Sequence, residues 1–325
     1  MTPSSQRGGG RILWTLRAVG VGIGLLALLA GNAHTPLAAP TAHGTDRAFT
    51  IACVGDVMLG RGVAQALDGQ WTRAFADLAP RLTSADLAFA NLESPLGAEA
   101  ATNVSPAYDL RAPPAASAAL RSGGFDIVSL ANNHALDGGA VGLAQTQAVL
   151  QASGIVSVRE GEVAWPGYPV RFIAFDDSNY PLDVAAAERV VHTAAKTGAF
   201  VVVSLHWGGE YQAAPGPRQR MVAHRLSAAG ADLIVGHGPH VLQPMEWVGK
   251  TLVAYSLGNF LFDQLYPMDC RWGAILWVAV RKGHIAAVWV TPTVIGTGID
   301  QGRVILPDPE TAAIIHYRLG MISRP

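Results

Sequence analysis

Six residues with metal-ligand chemistry close apolar segments of this chain. They are Asp56 in VGDVMLGR, Glu93 in FANLESP, Asn133 in SLANNHALDGG, His206 in VSLHWGGEY, and His237 and His240 in IVGHGPHVLQP. Carboxylate, amide oxygen and imidazole donors suit zinc, manganese or iron, and no thiolate belongs to the set. A divalent ion in such a set lowers the pKa of its water toward about 7 and polarises a phosphoryl or carbonyl oxygen. His134 follows Asn133 directly and is placed to act as general acid toward a leaving group. Asn91, Asn132 and Glu210 stand beside these positions and complete the candidate pocket.

Each residue also has an ordinary structural reading. An aspartate after a strand, such as Asp56, is commonly a turn residue or helix N-cap. Asn132 and Asn133 could sit in a turn that tolerates left-handed geometry. His237 and His240 could line the turn at Gly238-Pro239, and Glu210 could be a solvated loop carboxylate. Asp176 and Asp177 read as caps for the helix that begins near Leu182. What sets the candidates apart is recurrence at five strand ends, the edge at which open sheets bind ligands.

The elements that must position these residues are legible as alternation. Short, nearly continuous apolar runs recur at Phe49–Val54, Asp86–Asn91, Asp126–Leu130, Val170–Phe175, Ala199–Leu205 and Asp232–Val235, as in strands covered on both faces. Helical segments separate them at Ala115–Ser122, Gly142–Ser153, Leu182–Thr197 and Pro217–Ala229, and the last three precede a glycine stop. After Gly236 the pattern becomes hairpins, with two-residue turns at Gly249-Lys250 and Lys282-Gly283. These hairpins predict an antiparallel sheet in the second part. A short helix is expected in Asp308–Ile322. The alternation indicates a layered α/β or α+β domain.

Composition excludes several classes. The chain has 325 residues, is 50% hydrophobic and 14% charged, and carries a formal net charge of -1, so it is no disordered chain. Near-neutral charge without a basic cluster argues against nucleic acid as a partner. Two cysteines make neither a disulfide scaffold nor a four-thiolate zinc site. The first segment is a different object. Arg7, Arg11 and Arg17 precede an apolar run of 13 residues, Ala18–Ala30, shorter than the roughly 20 a spanning helix needs. Residues 1–33 therefore read as a signal peptide or an uncleaved N-terminal membrane anchor, residues 34–47 as a linker, and residues 48–325 as the domain, outside the cytoplasm. There Cys53 and Cys270 could pair, although the apolar setting of Cys53 suits a free thiol.

At these residues the sequence resembles the CapA family of capsule and poly-γ-glutamate biosynthesis proteins. The matching stretches are GDVMLGRGV (55–63), FANLESPL (89–96), SLANNHALDGG (129–139), SLHWGGEY (204–211) and the long block 224–263. The resemblance implies an α+β, calcineurin-like metallophosphoesterase fold, two packed mixed β-sheets flanked by helices. It implies a protein tethered at the cell surface and a site for one or two divalent ions. Its implied partners are poly-γ-glutamate or another anionic polymer, membrane synthase subunits, and the membrane itself if the N-terminus is uncleaved. The superfamily motifs carry over unevenly. Asp56 matches the Asp-x-His motif, but Met58 replaces its histidine. Glu93 stands where a bridging Asp is usual. Asn133 and His134 match Gly-Asn-His, and His206 suits the lone histidine. His237 and His240 stand in Gly-His-x-x-His, with Gly238 where the family commonly has histidine. Two other readings stay open, a secreted metal-dependent phosphoesterase unrelated to polymer and a non-catalytic scaffold. Arg61, Arg111 and Arg218 are candidate contacts for a polyanion.

Overall fold

The apolar runs fold as strands because their β-branched and aromatic residues can bury both faces of a pleated sheet. The computed structural model describes residues 48–97, 104, 105 and 107–320. The export segment and linker expected over 1–47 lie outside them.

The chain begins with β1 (Phe49–Val57), α1 (Arg61–Leu67), α2 (Ala79–Leu82), β2 (Leu87–Leu92), α3 (Ser117–Gly123), β3 (Ile127–Ser129), α4 (Gly139–Ala152) and β4 (Val156–Val158). It continues through β5 (Gly161–Ala164), β6 (Val170–Asp177), α5 (Val184–Ala195), β7 (Phe200–Trp207), α6 (Pro217–Ala229) and β8 (Leu233–His237). Last come β9 (Leu242–Val248), β10 (Thr251–Leu257), β11 (Asn259–Leu261), β12 (Trp272–Arg281), β13 (His284–Ile295), β14 (Val304–Ile305) and α7 (Pro309–Leu319). Among the described residues no helix is long and apolar enough to cross a membrane.

Two mixed sheets result, as expected. One has the order β14-β13-β12-β1-β2-β3-β4, with β11 also on β1, and the other the order β5-β6-β7-β8-β10-β9. The expectation of a separate antiparallel sheet is corrected. Hairpin β9–β10 extends the second sheet, where β10 is parallel to β8, and hairpin β12–β13 extends the first, antiparallel to β1. A hairpin satisfies only its own inner edge, so each docks on a parallel strand that still offers open backbone groups.

The side chains alternate between cores. Ile51, Cys53, Leu87 and Phe89 of the first sheet meet Phe172, Phe200, Val202 and Val235 of the second in the layer between the sheets. The opposite face of the first sheet packs on α1, α2, α3 and α4. That of the second packs on α5 and α6. Parallel β1, β2 and β3 run alongside one another, as do β6, β7 and β8, so their C-terminal ends gather at one rim of each sheet.

One irregularity sets the site. On β2, Phe89 and Asn91 are two residues apart, but their partners on β1, Cys53 and Asp56, are three apart. The extra residue turns Asp56 onto the inter-sheet face that Cys53 occupies; regular alternation would have put it among the helices. Gly55 sits in this bulge with no room for a side chain, since a Cβ there would lie 1.9 Å from the Gly258 backbone oxygen. Gly55→Ala is expected to cost about 3 kcal/mol or more, because the obstacle is backbone rather than a movable side chain. Denaturant unfolding checks this, and an unchanged midpoint would mean that the strands do not approach as described.

Candidate metal centre

Strand parity brings the donors together. Asn91 lies on the face of Phe89, His206 on that of Val202 and His237 on that of Val235, so all three point between the sheets. Their strands place them side by side, with Asp56 opposite Asn91 and His206 opposite His237. Asp56, Asn91, Glu93, His206, His237 and His240 are all buried.

Asp56 is the hub. Its Oδ1 accepts from Asn91 Nδ2 at 2.9 Å and lies 3.3 Å from His237 Nδ1. Its Oδ2 accepts from the Gly238 N–H at 3.2 Å and lies 3.4 Å from His240 Nδ1. Glu93 Oε1 lies 3.4 Å from His206 Nε2 and 3.7 Å from His240 Nε2. Asp56, Glu93 and His206 each offer a ligand atom, and these atoms all lie within 4.8 Å of one another. His237 and His240 flank that trio through Asp56.

Two histidines here favour their charged form. Burial opposes charge on His206, but the carboxylates of Glu93, Asp176 and Asp56 outweigh it and push its pKa up to about 10. For His240 the same opposition is outweighed by Glu93 and Asp56, and its pKa rises to about 9. Burial also works against the Asp56 carboxylate, yet His237 and His240 hold it well below the usual carboxylate range.

The donor set fits a metal ion by a further observation. Glu93 Oε1 and both ring nitrogens of His206 and His237 are buried and make no hydrogen bond, only the ion-pair contacts of 3.3–3.7 Å given above and one to Asp176. Buried polar atoms are normally satisfied, so such a concentration marks a position built for something that supplies positive charge and accepts lone pairs. Thiolates play no part. Cys53 and Cys270 are free and buried, and burial pushes both thiols up.

The remaining expected residues divide. Asn132 donates to Asn91 Oδ1 at 3.0 Å and to the Leu92 carbonyl at 2.9 Å, tying the β3 turn to β2. Asn132 Oδ1 also accepts from the His134 N–H at 3.2 Å. His134 Nδ1 lies 2.9 Å from Asp137 Oδ2, which also accepts from the Leu110 N–H. Glu210 is exposed, beside Tyr211. Met58 faces the helix-side core and supplies no ligand for the missing histidine. Gly238 has φ +101 and a Cβ there would lie 3.1 Å from His206 Cε1, so a histidine at that position would be both strained and crowded.

Sequence reasoning missed two residues. Asp176, read as a helix cap, stands 3.7 Å from His206 Nδ1, whereas the cap of α5 is Asp183 and Asp177 holds the Leu182 N–H. Asn259 meets His240 at 2.9 Å. Only its place in the SLGNF stretch (256–260), inside the long matching block 224–263, could have signalled it. The three arginines offered to a polyanion are already paired, Arg61 with Asp263, Arg111 with Asp109 and Arg218 with Asp177.

The model of the family described as "Bacterial capsule synthesis protein PGA_cap" matches residues 50–165 and 162–264. The chain is similar to the "Capsule biosynthesis protein CapA" of Bacillus anthracis, 30% identical over 317 residues that cover 88% of this chain and 75% of that protein. It is also similar to the "PGA biosynthesis protein CapA" of Bacillus subtilis (strain 168), 30% identical over 81% of this chain and 75% of that one. A "Probable polyglutamine synthesis accessory protein" of Mycobacterium tuberculosis is 28% identical over 68% of this chain and 76% of its own. Among solved structures, TT1561 of Thermus thermophilus aligns with a TM-score of 0.43 and 17% identity, over 73% of this chain and 100% of that one.

Proposed function

Since the chain belongs to the bacterial capsule synthesis (PGA_cap) family, whose relatives include the CapA proteins, we propose that it works outside the cytoplasm in making or exporting a poly-γ-glutamate-type polymer. In this reading its buried cluster is a divalent-metal centre for hydrolysis or transfer at a phosphoryl or acyl centre. The carrying observation is that Asp56, Glu93 and His206 bring buried ligand atoms within 4.8 Å of one another, and Glu93 Oε1 and both His206 ring nitrogens make ion-pair contacts there but no hydrogen bond. The basic flank and apolar run before residue 31 support an exported protein, anchored to the membrane or released.

Asp56, Glu93 and His206 would hold the ion, with His237, His240 and Asn133 as further donors; manganese, iron and zinc all accept such ligands. When bound, the ion supplies Lewis acidity toward a phosphoryl or acyl oxygen. With Met58 at the histidine position of the superfamily's Asp-x-His motif and Gly238 where the CapA family commonly has histidine, one ion is the occupancy these donors favour. The chain's own groups do the rest. Asp137 holds His134 at Nδ1, which leaves Nε2 to give a proton to a leaving group. Asn91 and the Gly238 N–H keep Asp56 turned into the centre. The polymer and any membrane synthase subunits are partners by family relation.

Complementation tests this reading. In a host lacking its own family member, the wild-type chain is expected to restore polymer and Asp56→Ala/His237→Ala is not. Full restoration by the double variant would leave only a scaffold role. Hydrolysis of simple phosphoesters, abolished by Asp56→Ala and without polymer restoration by the wild type, would replace this reading with a secreted phosphoesterase.

A further inference from the structure

We propose that Asn259 is a positioning residue that fixes which ring nitrogen of His240 faces the metal centre; the inference rests on reading the cluster as such a centre. Asn259 opens β11, is fully buried, and pairs with Asp56 across the parallel β1–β11 register.

The chemistry of its neighbours leaves its amide one orientation. The Cys270 backbone oxygen can only accept, and it lies 3.1 Å from Asn259 Nδ2. The amide nitrogen is therefore committed to Cys270, and Oδ1 is the atom that meets His240 Nδ1 at 2.9 Å. Oδ1 can only accept, so the hydrogen is on Nδ1. In the neutral imidazole the other nitrogen then carries the lone pair. That atom, Nε2, lies 3.7 Å from Glu93 Oε1, the same oxygen that stands 3.4 Å from His206 Nε2. Two imidazole Nε2 atoms thus converge on one carboxylate oxygen.

The surroundings keep the arrangement in place. His240 itself has φ +59, a costly conformation for a non-glycine residue that the surroundings must hold, and its ring packs 5.0 Å from Phe262. The Asn259 backbone is closely covered, since a Cβ on Gly273 would lie 2.4 Å from the Asn259 oxygen. Without the Asn259 oxygen, the Nδ1–H would keep only the Asp56 carboxylate at 3.4 Å. Outer hydrogen bonds of this kind set the tautomer and orientation of a ligating histidine, and their loss typically weakens metal binding about 10- to 100-fold.

The test uses the full chain with 15N-labelled histidine. Metal-free protein is examined at pH 10, above the His240 pKa of about 9, with its ring signals identified by their absence from His240→Gln. The expected result is a protonated Nδ1 and an unprotonated Nε2. Asn259→Leu should populate the Nε2–H tautomer and weaken zinc affinity about 10- to 100-fold. Asn259→Asp, which keeps an acceptor oxygen toward Nδ1, should retain the wild-type tautomer. An Nε2–H tautomer in the wild type overturns the proposal without recourse to any variant. So does Asn259→Leu with an unchanged tautomer, zinc affinity within twofold and an intact near-ultraviolet circular dichroism spectrum. A wild type with the expected tautomer that binds no zinc overturns the metal-centre reading and leaves the placement of the Asn259 hydrogen bond standing.

Discussion

Asp56→Asn is expected to strip the protein of bound divalent metal, lowering affinity by about 100-fold or more. Loss of an outer hydrogen-bond partner already costs about 10- to 100-fold, and Asp56 is the charge at the centre of the set. The substitution keeps the side chain's shape, so packing is not the issue. Asp56 Oδ1 faces the Asn91 amide N–H and Oδ2 faces the Gly238 N–H. An asparagine must turn its NH2 toward one of these donors, leaving buried donors unsatisfied at a cost of about 1–3 kcal/mol. Metal content after dialysis and calorimetric titration with manganese, iron and zinc measure the first effect, and thermal unfolding the second. Glu210→Gln is the control, expected to stay within twofold of wild type because Glu210 is exposed and outside the cluster. Wild-type affinity in Asp56→Asn would sink the ligand assignment.

The second expected result is an alkaline loss of stability confined to the metal-free protein. His206 and His240 have folded-state pKa values of about 10 and about 9, both above the ordinary histidine value of 6.5. A raised histidine pKa contributes stability that is complete below the unfolded value and fades as pH rises through the folded one. The metal-free protein should therefore weaken between about pH 6.5 and pH 10, by an amount on the order of a few kcal/mol. On the acid side Asp56 works in the opposite sense, since its depressed pKa contributes stability above the unfolded carboxylate range and loses it as pH falls toward the folded value. The two effects describe one set of ion pairs seen from both partners and are not additive. Bound metal replaces the histidine protons, so its stabilising effect should grow from about pH 6.5 to about pH 9, and binding near pH 8 should release protons. Thermal unfolding with and without metal across this range, with calorimetry in buffers of different ionisation enthalpy, reads both. A flat metal-free profile, or binding without proton release, would show that these rings are neutral in the folded chain.

Much of this site was legible before folding was considered. The apolar runs at Phe49–Val54 and Ala199–Leu205 became β1 and β7 with small shifts at their ends, because a strand covered on both faces needs an uninterrupted apolar sequence. Asn91, His206 and His237 share the parity of buried neighbours, so their common face follows from the two-residue period alone. The hairpin turns at Gly249 and Gly283 were equally plain, but their sheets were not. The edge a hairpin joins is set outside the hairpin itself, by the preceding β8 for β9–β10 and by β1, more than two hundred residues earlier, for β12–β13. Asp176 was misread for a related reason, since a carboxylate after a strand looks the same whether it caps a helix or faces a histidine on the neighbouring strand.

By itself the sequence determined the donor types, their places at strand ends and a layered architecture of alternating strands and helices, since these follow from local apolar runs and side-chain chemistry. Only the tertiary structure decided which donors meet. The bulge at Gly55 exists because β1 passes the Gly258 backbone with no space for a side chain, and that bulge turns Asp56 inward. Asp56 reaches His237, and Glu93 reaches His206, across segments joined only by sheet pairing and packing. Glu210, attractive by its neighbours in sequence, is exposed in the fold, whereas Asp56, Glu93 and His206 are buried. Contacts of that range are set by how two sheets stack, and no window of sequence contains them.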